Sequence, residues 1–285
     1  MGTVSKLLDE NLSRLAWSLW TELGIAGLER KHESFSVPPE ELIILTSALS
    51  KFDPRLFDEA LDWCIRYHHF ISPIRLQILA KKYREFITEA FSTFSATVNA
   101  IATIRTKWIV LKEPPPLKFR PSGKSILRSF EALSMIHFRL RSLLGVGARA
   151  DVVAFLLSEE PNGFTVSDLI ETGYSKRRLA QILDDLTAAG IFSKTMIRNQ
   201  WRYAFTKRDQ FIQLLGGVPE NMVHWHRILA ILLPIRGCLL EVEDTPLGVR
   251  VIDMRNLLDK LKNHLIQLRL PPPSCKRILR LTGVA

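Results

Sequence analysis

Ser175-Lys176-Arg177-Arg178, with Gln181 one helical turn further on, is the group of side chains best suited to chemistry in this chain, and that chemistry is recognition rather than bond breaking. Arg presents a bidentate fork to guanine, Gln does the same for adenine, and Lys or a Ser hydroxyl can hold a phosphate. A second group follows at Lys194, Arg198, Asn199 and Arg202. Residues 176–208 contain eight basic and two acidic residues, the acids being Asp184 and Asp185. The excess is local, because Asp151, Glu159, Glu160, Asp168 and Glu171 lie just ahead of it.

The elements that position these side chains can be read from caps and periodicity. Residues 148–158 (ARADVVAFLLS) carry apolar side chains too densely for a one-sided surface helix, which predicts a helix central to a small core. Pro161-Asn162-Gly163 stops it. Thr165 or Ser167 can cap a short helix, with Asp168 and Glu171 near its positive end, and Gly173 closes it. Ser175 caps the next helix, from Lys176 to about Ala189, ahead of Gly190. On that helix Leu179, Ile182, Leu183 and Leu186 form one stripe, and Arg177, Gln181 and Asp184 lie opposite. Residues 191–197 and 201–206 read as two strands joined by Arg198-Asn199-Gln200, with Trp201, Tyr203 and Phe205 alternating on one face. Helix, short helix, turn, recognition helix and hairpin form a winged helix-turn-helix pattern, with Lys194, Arg198 and Arg202 on the wing.

The segment FTVSDLIETGYSKRRLAQILDDLTAAGIFSK resembles the helix-turn-helix of MarR- and ArsR-like bacterial transcriptional regulators, and the likeness extends over about 60 of the 285 residues. The resemblance implies that Ser175, Lys176, Arg177, Arg178 and Gln181 face the major groove. It implies that Arg198 and Arg202 meet the backbone or the minor groove, and that the protein binds double-stranded DNA as a two-fold homodimer. It supplies no effector ligand, and the flanking residues resemble no family.

The chain is long enough for two or three domains, and its 47% hydrophobic and 24% charged residues are those of a globular protein. The fold class expected is mainly α. Residues 1–111 read as an all-α domain, 112–125 as a Pro-rich basic linker, 126–215 as the winged domain with a leading helix, and 216–285 as C-terminal helices with a basic tail. In the first domain Leu7, Leu8, Leu12, Leu15, Leu19 and Leu23 repeat at three and four, and Pro38-Pro39, Asp53-Pro54 and Ser72-Pro73 open three further helices. Glu113-Pro114-Pro115-Pro116 begins an extended, stiff stretch, and residues 105–128 hold seven basic residues and one acid. A solvated tether is the default reading of such a stretch. Beyond the wing, residues 221–241 and 246–270 predict two helices, before the basic Lys276, Arg277 and Arg280.

A net charge of +10 suits a polyanionic partner. The amino terminus lacks a signal-like apolar core, and the most apolar run, 228–240, is too short to span a bilayer, so no membrane association is expected. Cys64, Cys238 and Cys275 are odd in number and widely spaced, which favours a reducing cytoplasm over a disulfide framework or zinc site. Gly123-Lys124-Ser125 lacks the earlier glycine and the strand of a phosphate-binding loop. His68-His69 and His224/His226 lack metal-ligand spacing and read as buried or capping histidines. Asp58, Glu59 and Asp62 with Arg55 and Arg66 read as an exposed ion-pair face. No nucleophile motif is present, so no enzyme, cofactor or metal is expected. The reading is a sequence-specific DNA-binding transcriptional regulator. The alternative is an antitoxin-like interaction component of a two-gene toxin or defence module, with an operon-encoded protein partner and an autoregulating winged helix.

Overall fold

The computed structural model describes residues 3–27, 32, 35–103, 107–159, 163–220, 222–241 and 247–267. Pro161-Asn162, Arg105, Cys275 and the basic tail at Lys276, Arg277 and Arg280 lie outside the described residues. The chain is mainly helical, and its one sheet among the described residues is a two-stranded antiparallel hairpin.

Five helices build the amino-terminal body: α1 (Thr3–Glu22), α2 (Pro39–Leu49), α3 (Pro54–Tyr67), α4 (Pro73–Lys82) and α5 (Arg84–Ile101). Every residue of α2 is buried, including Glu40 and Glu41, so α2 is the axis on which α1, α3, α4 and α5 pack. The Asp53 cap fixes two helices at once. Its Oδ1 accepts from the Leu56 amide at 3.0 Å, and its Oδ2 accepts from Ser13 Oγ at 2.6 Å and Trp17 Nε1 at 2.7 Å on α1. At the centre the Trp20 and Trp63 rings meet edge to face at 5.5 Å, and Trp63 Nε1 donates to the Leu23 carbonyl at 2.9 Å.

Residues 107–129 lie outside any helix or strand, a longer stretch than the linker expected at 112–125, and they are no tether. Trp108 is buried and bonded on both backbone groups to the Asn99 amide, while Ser92 Oγ and Thr97 Oγ1 accept from the Leu111, Lys112 and Leu117 amides. The strap then crosses α3, where Asp62 Oδ1 accepts from the Ser122 amide at 2.5 Å and Arg66 donates to the Gly123 carbonyl at 3.0 Å. Asp62 and Arg66 therefore hold a chain segment some sixty residues away instead of forming an exposed ion-pair face, because Asp62 is buried and its Oδ1 accepts from the Ser122 and Gly123 amides.

A second core gathers α6 (Ile136–Leu144), α7 (Ala148–Ser158), a 3₁₀ helix (Val166–Thr172), α8 (Lys176–Ala188), the strands β1 (Ser193–Ile197) and β2 (Gln200–Ala204), and α9 (Arg208–Leu214). Last come α10 (Trp225–Glu241) and α11 (Leu247–Gln267). The predicted starts Asn221 and Pro246 lie outside the described residues, and α10 begins only at Trp225. Trp225, Leu229 and Leu233 of α10 enter the amino-terminal core, and Arg236 grips Asp9 of α1 at 2.6 and 3.2 Å. α11 packs on α10 through Leu261 and Leu265.

The two cores meet at the turn before α8. Gly173 takes φ +86° there, and a Cβ on it would stand 2.4 Å from Ile78 Cγ2 of α4. Gly173→Ala is therefore expected to cost about 1–3 kcal/mol in urea unfolding, since it adds a left-handed non-glycine residue to a contact with no room.

Candidate nucleic-acid interface

The 3₁₀ helix is capped at Thr165, whose amide and hydroxyl bond Asp168 Oδ2 at 2.7 and 3.0 Å. Gly173 then reverses the chain, and Ser175 Oγ accepts from the Arg178 amide at 3.3 Å to open α8. Leu179, Ile182, Leu183 and Leu186 are buried beneath α8, whereas Ser175, Lys176, Arg177, Arg178 and Gln181 are exposed. Arg178 Nη1 donates to Gln181 Oε1 at 3.1 Å, so these two are already aligned with each other. Lys176 and Arg177 make no side-chain hydrogen bond or ion pair with another described residue.

The two acids further along α8 are both occupied. Asp185 pairs with Arg149 at 3.0 Å, and Asp184 accepts from Lys194 Nζ at 2.7 Å and the Tyr203 hydroxyl at 2.9 Å. The Lys194 bond holds the Asp184 carboxyl below its ordinary range, and the same bond raises the Lys194 ammonium. Lys194 also lies over the Trp201 ring at 4.5 Å. It thus braces the hairpin against α8, and so stands apart from the other basic residues of this surface.

The hairpin pairs Met196 with Trp201 and Ile197 with Gln200, which leaves Arg198-Asn199 as a two-residue turn rather than the three-residue loop expected. Both turn residues have positive φ, 48° and 63°. That geometry matches the right-handed twist of the strands and favours Asn-Gly or Gly-Gly, so Arg at the first position is unusual. Arg198, Asn199 and Arg202 are exposed, and Arg202 Nη2 reaches the Gly163 carbonyl at 3.2 Å.

Behind this surface lies a buried polar network that sequence reasoning did not find. Arg141 of α6 donates to Glu40 Oε2 at 2.8 Å, to Asp151 Oδ1 at 3.2 Å and to the Phe70 carbonyl at 2.7 Å. Asp151 Oδ2 accepts from the Tyr174 hydroxyl at 2.5 Å, one residue before the cap of α8. Arg75 of α4 pairs with Glu41 and donates to the Thr172 carbonyl at 2.9 Å. The network borders a cavity of about 50 Å³, into which His137, His224 and His226 also face. Burial and the Arg141 charge hold His137 down at about 4, and burial with Arg227 and His226 nearby holds His224 at about 4. Burial works against the Glu171 carboxylate, but its bonds to His226 and Arg227 hold it at about 2. The one legible signal was the alternation of His137, Arg139 and Arg141 with apolar residues in α6, of which Arg141 is the one that closes on the buried acids.

Among the described residues no group of His, Cys, Asp and Glu could hold a metal ion, and no helix is long and apolar enough to cross a membrane. No protein-family model, no curated protein and no solved structure matches this chain.

Proposed function

We propose that the chain is a sequence-specific double-stranded DNA-binding transcriptional regulator built on a winged helix-turn-helix. In this reading α8 is the recognition helix and the β1–β2 hairpin is the wing. The observation that carries it is the outward, capped first turn of α8, with Lys176, Arg177, Arg178 and Gln181 exposed together while Asp184 and Asp185 are neutralised by Lys194 and Arg149. The strained Arg198 supports it. An L-residue at φ 48° carries a backbone cost that Gly would avoid, and a guanidinium at the apex of a wing is a reason to bear it.

Affinity would come mainly from phosphate neutralisation and specificity from Arg177 and Gln181. Arg177→Ala is expected to cost about 1–3 kcal/mol on the best site and to relax sequence preference. Arg198→Ala should weaken all sequences evenly and lower the salt slope by about one unit. Selection from a pool of randomised duplexes at moderate salt, followed by gel shift, tests the reading. No enrichment above nonspecific binding would sink it. If the protein acts as a homodimer, two α8 helices about 34 Å apart are required to meet successive major grooves.

A second reading is favoured by the size of the amino-terminal core and its grip on the Thr172–Gly173 turn. Here that body docks a protein encoded beside this one, as an antitoxin docks its toxin, and the DNA contact only autoregulates. Co-purification of a stoichiometric neighbour-encoded protein favours it, whereas a solo dimer with full DNA affinity counts against it.

A further inference from the structure

Four consecutive residues lead into α8, and three other helices hold them. Glu171 bonds His226 at 3.2 Å and Arg227 at 2.8 and 2.5 Å, both at the start of α10. The Thr172 carbonyl accepts from Arg75 of α4, and Gly173 lies against Ile78 of the same helix. The Tyr174 hydroxyl donates to Asp151 of α7, which Arg141 links to Glu40 of α2. Helices α2, α4 and α10 all contribute to the amino-terminal core. The origin of α8 is therefore set from the other body, while Leu179, Ile182, Leu183 and Leu186 seat its length on its own core.

Arg75 spans the two bodies directly. It is buried, with one guanidinium nitrogen paired with Glu41 of α2 and the other on the Thr172 carbonyl. A carbonyl in the last turn of a helix lacks a donor within that helix, and a cation at this end is favoured. The guanidinium holds its donors in a rigid planar fork, whereas a lysine ammonium is a point charge without that fork. The geometry points to Arg75 as a positioning residue for DNA recognition. From its buried place it reaches no base or phosphate, and it holds the first turn of α8 where Arg177 and Gln181 meet base edges. The sequence preference of α8 is in this way set by the amino-terminal body. The inference rests on the DNA-binding reading above. Base-edge hydrogen bonds weaken steeply with misalignment, whereas attraction to phosphates falls off gently with distance, so a slack fork costs preference before it costs affinity in general.

The test compares the unsubstituted protein, Arg75→Lys and Ile43→Val by anisotropy, on the best duplex from a randomised pool and on a scrambled duplex, over several salt concentrations. Ile43 is buried in α2, so its variant loosens the same core without touching the turn. Arg75→Lys is expected to bind the best duplex about tenfold more weakly, within what one bidentate base contact supplies, with the scrambled duplex and the salt slope unchanged. Glu41→Gln keeps an acceptor for Arg75 but drops the charge; it should show the same pattern to a smaller degree, and it carries the test if Arg75→Lys does not fold. Ile43→Val should match the unsubstituted protein on both duplexes. Hydrogen exchange adds a readout that needs no DNA. The Leu179 amide, bonded to the Ser175 carbonyl at 3.0 Å, should exchange faster in Arg75→Lys than in Ile43→Val. Equal losses on both duplexes, no loss, a loss shared by Ile43→Val, or equal exchange in the two variants overturns the positioning role and leaves the DNA reading standing. An unsubstituted protein that prefers no duplex overturns the DNA reading, and the inference falls with it.

Discussion

Arg141→Met is expected to lower the free energy of unfolding by about 3–5 kcal/mol, read as a fall in the urea midpoint at neutral pH. Arg141 is 3% exposed, and its guanidinium faces the buried Glu40 and the half-buried Asp151. Removing it leaves both carboxylates without this cation, Glu40 wholly in the interior, and desolvating an unpaired charge costs far more than the pair had gained. The diagnostic is the restoring variant. Adding Glu40→Gln and Asp151→Asn to Arg141→Met should recover more than half of the loss, because neutral amides remove the uncompensated charge. A loss below about 1 kcal/mol for Arg141→Met alone would show that the network is not the joint it is taken to be.

The second large effect is with pH. His137 and His224 are held at about 4 in the folded chain, against an ordinary 6.5. Above pH 6.5 both states are neutral at these rings, and they contribute nothing. Between 6.5 and 4 only the unfolded chain takes up the protons, so each histidine removes about 1.4 kcal/mol of stability per pH unit, and below 4 the loss stops. Glu171, held at about 2, extends the fall, since its contribution is complete above 4.5 and is lost as pH drops towards 2. Glu40 acts in the opposite sense, because burial raises it and the folded chain takes its proton first. Urea midpoints at about pH 7.5, 6 and 5 should therefore descend, and His224→Gln should flatten the slope by the equivalent of one proton. A midpoint that is level across this range would contradict the histidine environments described.

What could be read in the sequence was short-range. The Ser175 cap, the Gly173 reversal, the leucine stripe of α8 and the alternation around Tyr203 each depend on neighbours within a few residues, and each is where its local chemistry placed it. The turn was read one residue too long, because Arg at positive φ carries no sequence mark of its own. The buried network was invisible for a different reason. Glu40 and Glu41 look like first-turn acids complementing a helix dipole, and nothing local says that Arg141, 101 residues away, will close on Glu40. Asp62 misled in the same way, since its i+4 arginine is an ordinary helix-face partner while its true partners are amides of the strap.

The strap has one more consequence. It is the only covalent route from α5 to α6, yet it is sewn to α5 at Ser92 and Thr97, to α3 at Asp62, and to Gly24 through the Ile126 amide at 3.1 Å. The two cores are also joined by Arg141, Arg75 and α10, none of which lies in the strap. Connectivity and cohesion are thus separate properties of this chain. A cut at the exposed Lys118 or Arg120 would yield two polypeptides and leave one particle, so this seam is where the gene could be divided or the chain re-joined in a different order without undoing the fold.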